Sequence, residues 1–245
     1  MRDRTETTCA IPSGTLVATE PTVARLPRKA LVRVDSINHC SWRSHNHEHV
    51  LEDDAAKSEL RRLLLTYKRK YGIVVLSYCL MGTHPHVVCV ATRGQQEFSA
   101  FWRVVNNLFA RWYNRRHRRC GQVVMERLSS PQIQDERHLI EAIRYGDLNP
   151  VRAGLVRRAK DWQWSSHRHY ALGEPDELVD DATAFLNLGR TPTERRLAYR
   201  HLFARRFKDV LRRRHDLTRG PFIGDDEWCQ AQRARAVSLY ATGAS

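Results

Sequence analysis

Apolar positions along this chain switch between a spacing of two and a spacing of three to four, and the switches mark its elements. Residues 1–28 show neither period: Thr, Pro and charge are scattered, which reads as a loose N-terminal arm. Residues 30–34 and then 36–39 read as a short first strand. Over residues 53–71 the positions of Leu60, Leu63, Leu64 and Tyr67 predict a helix, with Asp53 or Asp54 as its cap and Gly72 as its stop. Residues 73–80 are β-rich and mostly apolar, which suits a central strand, and 87–92 form a second strand closed by Arg93-Gly94. The helical period returns over 98–114, where Phe98, Phe101, Trp102, Val105, Leu108, Phe109 and Trp112 share one side. Residues 121–125 read as a further strand, and 135–148 as a third helix ended near Pro150.

The order is therefore strand, helix, strand, strand, helix, strand, helix. That is an α+β chain of the ferredoxin-like split βαβ type: a small antiparallel sheet with helices on one face, plus one extra helix. Three parts follow: a loose arm over 1–28, a core over 29–175, and a basic, helical C-terminal appendage over 176–245. No repeat of the solenoid kind is visible.

Charge narrows the partners. Among 245 residues, 41 are Lys or Arg and 27 are Asp or Glu, a formal charge of +14. Hydrophobic residues make up 42%, enough for a core and too many for a disordered basic tail. The excess favours a polyanion. Its clearest concentration is on the second long helix and just past it, with Arg103, Asn107, Arg111, Asn114, Arg115, Arg116, Arg118 and Arg119 beside Trp112 and Tyr113. Basic side chains meet phosphates and aromatic rings stack on unpaired bases, although Trp112 also suits a core position. A second group is Arg152, Arg157, Arg158 and Lys160; a third is Arg205, Arg206, Lys208, Arg212, Arg213 and Arg214.

The cysteines (Cys9, Cys40, Cys79, Cys89, Cys120 and Cys229) form no C-x-x-C pair, which reads as reduced thiols. Residues 71–92 lack Asp, Glu, Lys and Arg, yet Gly82, Thr83, His84, Pro85 and His86 sit where a membrane span would be apolar. The N-terminus has no apolar h-region. The expectation is a soluble, cytoplasmic chain with no membrane partner.

Three groups can carry chemistry. His84 and His86, two apart on a strand, point to one face and can share a divalent ion; they also suit a plain surface pair. Pro85 between them has no N–H, which predicts a sheet edge or a bulge. Tyr145 and Asn149 stand four apart on a helix, a hydroxyl nucleophile with an amide oxygen beside it, and Glu141 one turn earlier is another possible ligand. Equally, Tyr145 suits a half-buried core position and Asn149 a helix stop. His45, His47 and His49 alternate in a loop and read best as polar or phosphate-contacting residues.

The strings YGDLNPVRAGLV and MGTHPHVV resemble the single-tyrosine HUH transposases, and within them the REP-associated tyrosine transposase group. RWYNRRH at residues 111–117, DWQWSSHRHY at 161–170 and the later AFLNLGRTPTERRLAYRHLF extend the resemblance over residues 28–203, with an echo at GPFIGDDEW. The resemblance implies Tyr145 as nucleophile and a Mg²⁺ or Mn²⁺ ion held by His84, His86 and Asn149. It implies single-stranded, hairpin-bearing DNA as substrate, cleaved and rejoined through a 5′-phosphotyrosine link without ATP or another nucleotide cofactor. It also implies action as a monomer rather than as a dimer. This chain departs from the family pattern at Pro85, at Met125-Glu126-Arg127-Leu128 and at Gly146-Asp147. Those departures suit a second reading, a catalytically lapsed or domesticated DNA- or RNA-binding protein on the same fold.

Overall fold

The computed structural model of the chain describes Leu26 and residues 28–124, 128–204 and 220–242. Most of the expected N-terminal arm, and the basic group Arg205, Arg206, Lys208, Arg212, Arg213 and Arg214, lie outside the described residues.

The chain opens with a single helical turn, α1 (Arg28–Leu31), and then β1 (Ser36–Ser41). The strand therefore starts later than residues 30–34 suggested. Asp35 sits at φ 58°, in the left-handed region, and the Ser36 hydroxyl donates back to the Arg33 carbonyl at 2.8 Å. Together they make a turn that an extended run cannot pass. Next comes α2 (Asp54–Lys68), capped by the Asp53 carboxylate, which accepts from the Ala56 amide at 2.6 Å. Leu60, Leu63 and Leu64 are buried on it, as their spacing predicts.

The strands β2 (Ile73–Leu80) and β3 (Pro85–Ala91) pair antiparallel, with Cys79 opposite His86 and Leu80 opposite Pro85. After them come α3 (Gln95–Arg116), β4 (Gln132–Ile133) and α4 (Glu136–Arg152). The chain continues through α5 (His167–Leu172), α6 (Thr183–Leu186), α7 (Pro192–Ala204), β5 (Phe222–Ile223) and α8 (Asp226–Thr242).

The described strands form one sheet in the order β2-β3-β1-β4-β5, antiparallel except for the β4–β5 pair. The fourth strand is not residues 121–125. Val124 makes only an isolated bridge to Ser44, and the strand beside β1 is the two-residue β4. Nor is Pro85 on a sheet edge, because β3 lies between β2 and β1. It is instead the first residue of its strand, one position beyond the last β1 pair at Ser41 and His86, where no ladder bond from its nitrogen is needed.

β2 and β3 are buried nearly end to end, so both faces of the sheet need cover. The helices α2 and α3 cover one face, against Cys40, Trp42 and Cys89; the Trp42 and Phe109 rings lie 6.0 Å apart. The extra helix, α4, covers the other face, so the helices are not confined to one side of the sheet. Residues beyond 176 share this core: Leu178, Val179, Ala182, Phe185 and Tyr199 belong to the same apolar cluster as the sheet. β5 adds a strand to the sheet, and α8 packs on α1.

The Asp135 carboxylate caps α4 by accepting from the His138 amide at 2.9 Å. The helix does not stop at Pro150. That residue forgoes its bond to the Gly146 carbonyl, but the ladder resumes with Ala153 N–H to Asn149 O at 2.9 Å. Gly154, at φ 72°, ends the helix in the left-handed conformation typical of a residue after a C-cap. Gly146 faces the sheet, where an added Cβ would stand 4.0 Å from Cys79 Cβ and His86 Cβ, an ordinary contact. Gly146→Ala is therefore expected to raise stability by about 0.5–1 kcal/mol through helix propensity and reduced unfolded-state freedom. Urea denaturation measures this; a loss of stability would mean the helix sits closer to the sheet than this packing allows.

Candidate active site

His86 is 5% exposed, on the sheet face that α4 covers. Its Nδ1 lies 3.0 Å from Nε2 of His39 on β1, and the two rings stack with centroids 5.1 Å apart. Its Nε2 is buried without a hydrogen-bond partner. His84 has Nδ1 2.8 Å from the Thr83 hydroxyl, and its ring meets His86 edge-on at 4.7 Å. Pro85 thus does not drive the two imidazoles apart. With each Nδ1 engaged by a neighbour, each Nε2 is the nitrogen left to offer a lone pair, the arrangement outer partners give to metal-binding histidines.

Both rings are held neutral. Burial is the largest cause for each. Arg43 and then Arg152 add to it for His84, whose pKa falls to about 4. For His86 the pKa is lowered well below the usual histidine range by burial, then by His84 and His39, then by the same two arginines.

From α4, Tyr145 meets this pair. It is 3% exposed, and its ring stands edge-on to His86 at 5.6 Å and to His39 at 6.2 Å. Asn149, four residues on, is 2% exposed, with Nδ2 buried and unpartnered. Arg152 ties the two together. Its Nη2 donates to the Tyr145 hydroxyl at 3.3 Å and to Asn149 Oδ1, and its guanidinium carbon lies 4.8 Å from the centre of the Tyr145 ring. His84, His86 and Tyr145 are therefore in ring contact, and Asn149 joins them through Arg152. Glu141 is turned to Arg144, 3.9 Å away.

Other expected residues stand elsewhere. Arg103, Asn107, Arg111 and Arg115 make an exposed stripe along α3, on the far side of the sheet from Tyr145. Arg116 lies over the Trp112 ring at 5.6 Å. Arg119 pairs with Glu48, Arg118 is exposed in the turn after α3, and Asn114 Nδ2 donates to the Gly121 carbonyl at 2.8 Å. Of the second basic group, Arg158 pairs with Asp161. The loop carrying His45, His47 and His49 braces the turn before β3, with Ser44 N–H to Thr83 O at 3.2 Å and Leu51 N–H to Gly82 O at 2.8 Å. His49 Nδ1 pairs with Glu52 at 2.8 Å.

Three features escape the sequence patterns. His39 reaches His86 from β1, where alternation was its only signal, and Arg43, two residues past that strand, lies close enough for its charge to lower both histidine pKa values. The third is Asp147, 1% exposed on α4, which accepts from the Tyr199 hydroxyl at 2.6 Å and lies 2.9 Å from His167 Nδ1. Its partners are 52 and 20 residues away, so no local spacing announces them. Burial and the adjacent carboxylate raise the Tyr199 pKa well above the usual tyrosine value. A separate group, Asp135, His138 and Asp225, brings its possible ligand atoms within 4.8 Å of one another at the start of α4. There Asp135 caps the helix and bonds the His138 ring at 2.8 Å, while Asp225 pairs with Arg137 at 2.6 Å.

Comparison with known proteins gives the fold its class: it is that of the REP-associated tyrosine transposases. A solved structure of such a transposase, bound to a REP hairpin, matches with a TM-score of 0.50 and 18% identity, covering 68% of this chain and 96% of that one. In sequence, the chain is similar to the REP-associated tyrosine transposase of Escherichia coli strain K12, 25% identical over 130 residues that span 51% of this chain and 74% of the relative. The resemblance to this group thus holds in sequence and in fold. No family model matches. Among the described residues, no helix is long and apolar enough to cross a membrane.

Two outcomes follow from this geometry. In the metal-free protein, the unfolded chain takes up protons on His84 and His86 as pH falls below about 6.5, while the folded site resists. Stability should be level with respect to these groups above that pH and fall as pH drops toward about 4, by up to roughly 1.4 kcal/mol per pH unit for each histidine. Urea titrations at pH 7, 6 and 5 measure the slope, and His84→Asn should reduce it; an unchanged slope contradicts the assignment. Separately, Tyr199→Phe removes a donor from a buried carboxylate and should cost about 1–3 kcal/mol in the same assay at pH 7. A neutral substitution there would mean Asp147 does not need the bond.

Proposed function

We propose that this chain binds hairpin-bearing single-stranded DNA and cleaves and rejoins it through Tyr145, with Mg²⁺ or Mn²⁺ held by His84, His86 and Asn149. The observation that carries this reading is the contact of the Tyr145 ring with a neutral His86 whose buried Nε2 has no partner. Two imidazole nitrogens and an amide oxygen suit a borderline-to-hard divalent ion that must also accept phosphate oxygens. When bound, such an ion supplies Lewis-acid stabilisation of the charge that develops on the phosphoryl oxygens.

The chain's own residues do the rest. The Tyr145 oxygen bonds to phosphorus as the bond from phosphorus to the DNA 3′-oxygen breaks. The phenol loses one proton and the departing 3′-oxygen gains one. The product is a 5′-phosphotyrosine link beside a free 3′-OH. A DNA 3′-OH then attacks the link, restores the phosphodiester and returns the proton to Tyr145. One phosphodiester is exchanged for another, so joining needs no nucleotide. His39 holds the His86 ring in place, and Arg43 and Arg152 add positive charge beside the site, which favours a backbone phosphate. The exposed stripe of Arg103, Asn107, Arg111 and Arg115, with Arg116 over Trp112, suits a separate stretch of nucleic acid on the far side of the sheet from Tyr145. The REP hairpin in the solved relative supports a hairpin substrate.

A second reading keeps the binding and drops the chemistry. It is favoured by the near-complete burial of Tyr145 and the hold of Arg152 on its hydroxyl. The two separate on a denaturing gel. With hairpin-bearing single-stranded DNA and Mn²⁺, the wild-type chain should form a covalent adduct. Tyr145→Phe should reduce the adduct to background while binding stays within about threefold, since only a hydroxyl is lost. Binding without any adduct across hairpins and metals supports the lapsed module instead, and cleavage that survives Tyr145→Phe contradicts the tyrosine mechanism.

A further inference from the structure

Arg152 stands inside the proposed ligand set, with its guanidinium on the Asn149 oxygen, on the Tyr145 hydroxyl and over the Tyr145 ring. We propose that Arg152 is a built-in cation that occupies Asn149 in the metal-free site, so that a divalent ion binds well only once DNA has drawn the guanidinium away. This inference rests on the metal-site reading above and assigns it a means of regulation.

Four observations support it. First, the oxygen of Asn149 that would ligate an ion is the atom Arg152 holds, and the other amide atom, Nδ2, is buried without a partner. The amide is thus fixed by its oxygen, and a unit positive charge stands beside the place a second cation would take. Second, the Arg152 guanidinium lies 4.8 Å from the centre of the Tyr145 ring, and that ring meets His86 at 5.6 Å, so its charge stands within the cluster that carries the ligand set. Third, it is the last residue of α4, only part-buried, with Ala153 and the left-handed Gly154 directly after it. A side chain at a helix end can swing outward without unpacking the helix. Fourth, a guanidinium forms a stronger, bidentate bond with a phosphate than with a neutral amide oxygen. An incoming backbone phosphate is therefore the natural competitor for Arg152, and its departure bares Asn149 Oδ1 and the Tyr145 hydroxyl together.

The consequence is a coupling. DNA that takes Arg152 raises affinity for the ion, and by linkage the ion raises affinity for DNA. The free chain then keeps its nucleophile capped. Nothing in this coupling requires a second subunit or a movement of α4.

The test reads metal binding rather than turnover. Mn²⁺ is titrated into the full chain without DNA, with the free ion followed by electron paramagnetic resonance. Arg152→Gln removes the charge and should tighten Mn²⁺ binding by about tenfold, within the usual range for such couplings. Arg152→Lys keeps the charge and should stay near the wild-type affinity. The gain in Arg152→Gln should vanish when His86→Gln is added. A hairpin-bearing oligonucleotide should tighten Mn²⁺ binding by wild type but not further by Arg152→Gln. Thermal melting confirms that each variant is folded. If Arg152→Gln binds Mn²⁺ no better than wild type while His86→Gln still loses binding, the gate is wrong and the metal site stands. If Arg152→Lys gains as much as Arg152→Gln, charge is not the cause and the proposal falls. If neither wild type nor Arg152→Gln binds Mn²⁺, or binding ignores His86, the gate and the metal site fall together.

Discussion

The site depends on one packing arrangement: α4 laid across the sheet face that carries His39 and His86. Gly146 faces the sheet there, where even an added Cβ would meet Cys79 and His86 only at an ordinary 4.0 Å contact. Tyr145, one residue earlier, then turns its ring against His86 instead of into solvent. His39 closes the other side of His86 through the contact between Nε2 and Nδ1. Take α4 off this face and the tyrosine, the asparagine and the histidines no longer belong to one site.

A second constraint comes from the C-terminal helices. The buried Asp147 carboxylate is held by Tyr199 of α7 and His167 of α5. Those two rings sit in an aromatic group with Tyr170 and Phe203. A carboxylate taken out of water needs such partners, and here they come from the C-terminal helices. The segments after α4 therefore help set its pose on the sheet.

The parts legible in the sequence are those whose signal is local. The periods of α2 and α3 and the apolar runs of β2 and β3 were readable because each buries one stripe or both faces over many residues. His84 with His86 and Tyr145 with Asn149 were readable because two and four residues are the repeat distances of strand and helix. What was not legible is set by contacts distant in sequence or by very short elements. β4 and β5 are two residues each, too short for any period. The start of β1 was hidden by a left-handed Asp35, and α4 outran Pro150 because one missing bond is a small loss in a helix packed on a sheet. His39, Arg43 and the partners of Asp147 reach the site from other elements. Arg152 was visible as a positive charge, but its place on Asn149 and Tyr145 was not.

The central proposal is that Tyr145, held in this packing, is the nucleophile that attacks the DNA phosphorus. The most direct test is to trap the chain on hairpin-bearing single-stranded DNA with Mn²⁺, digest the DNA to a single nucleotide, and locate the linked residue by tandem mass spectrometry. The account predicts a nucleotide joined through its 5′-phosphate to Tyr145. A nucleotide on any other residue, a link through the 3′-phosphate, or cleaved DNA with an unmodified protein would contradict it.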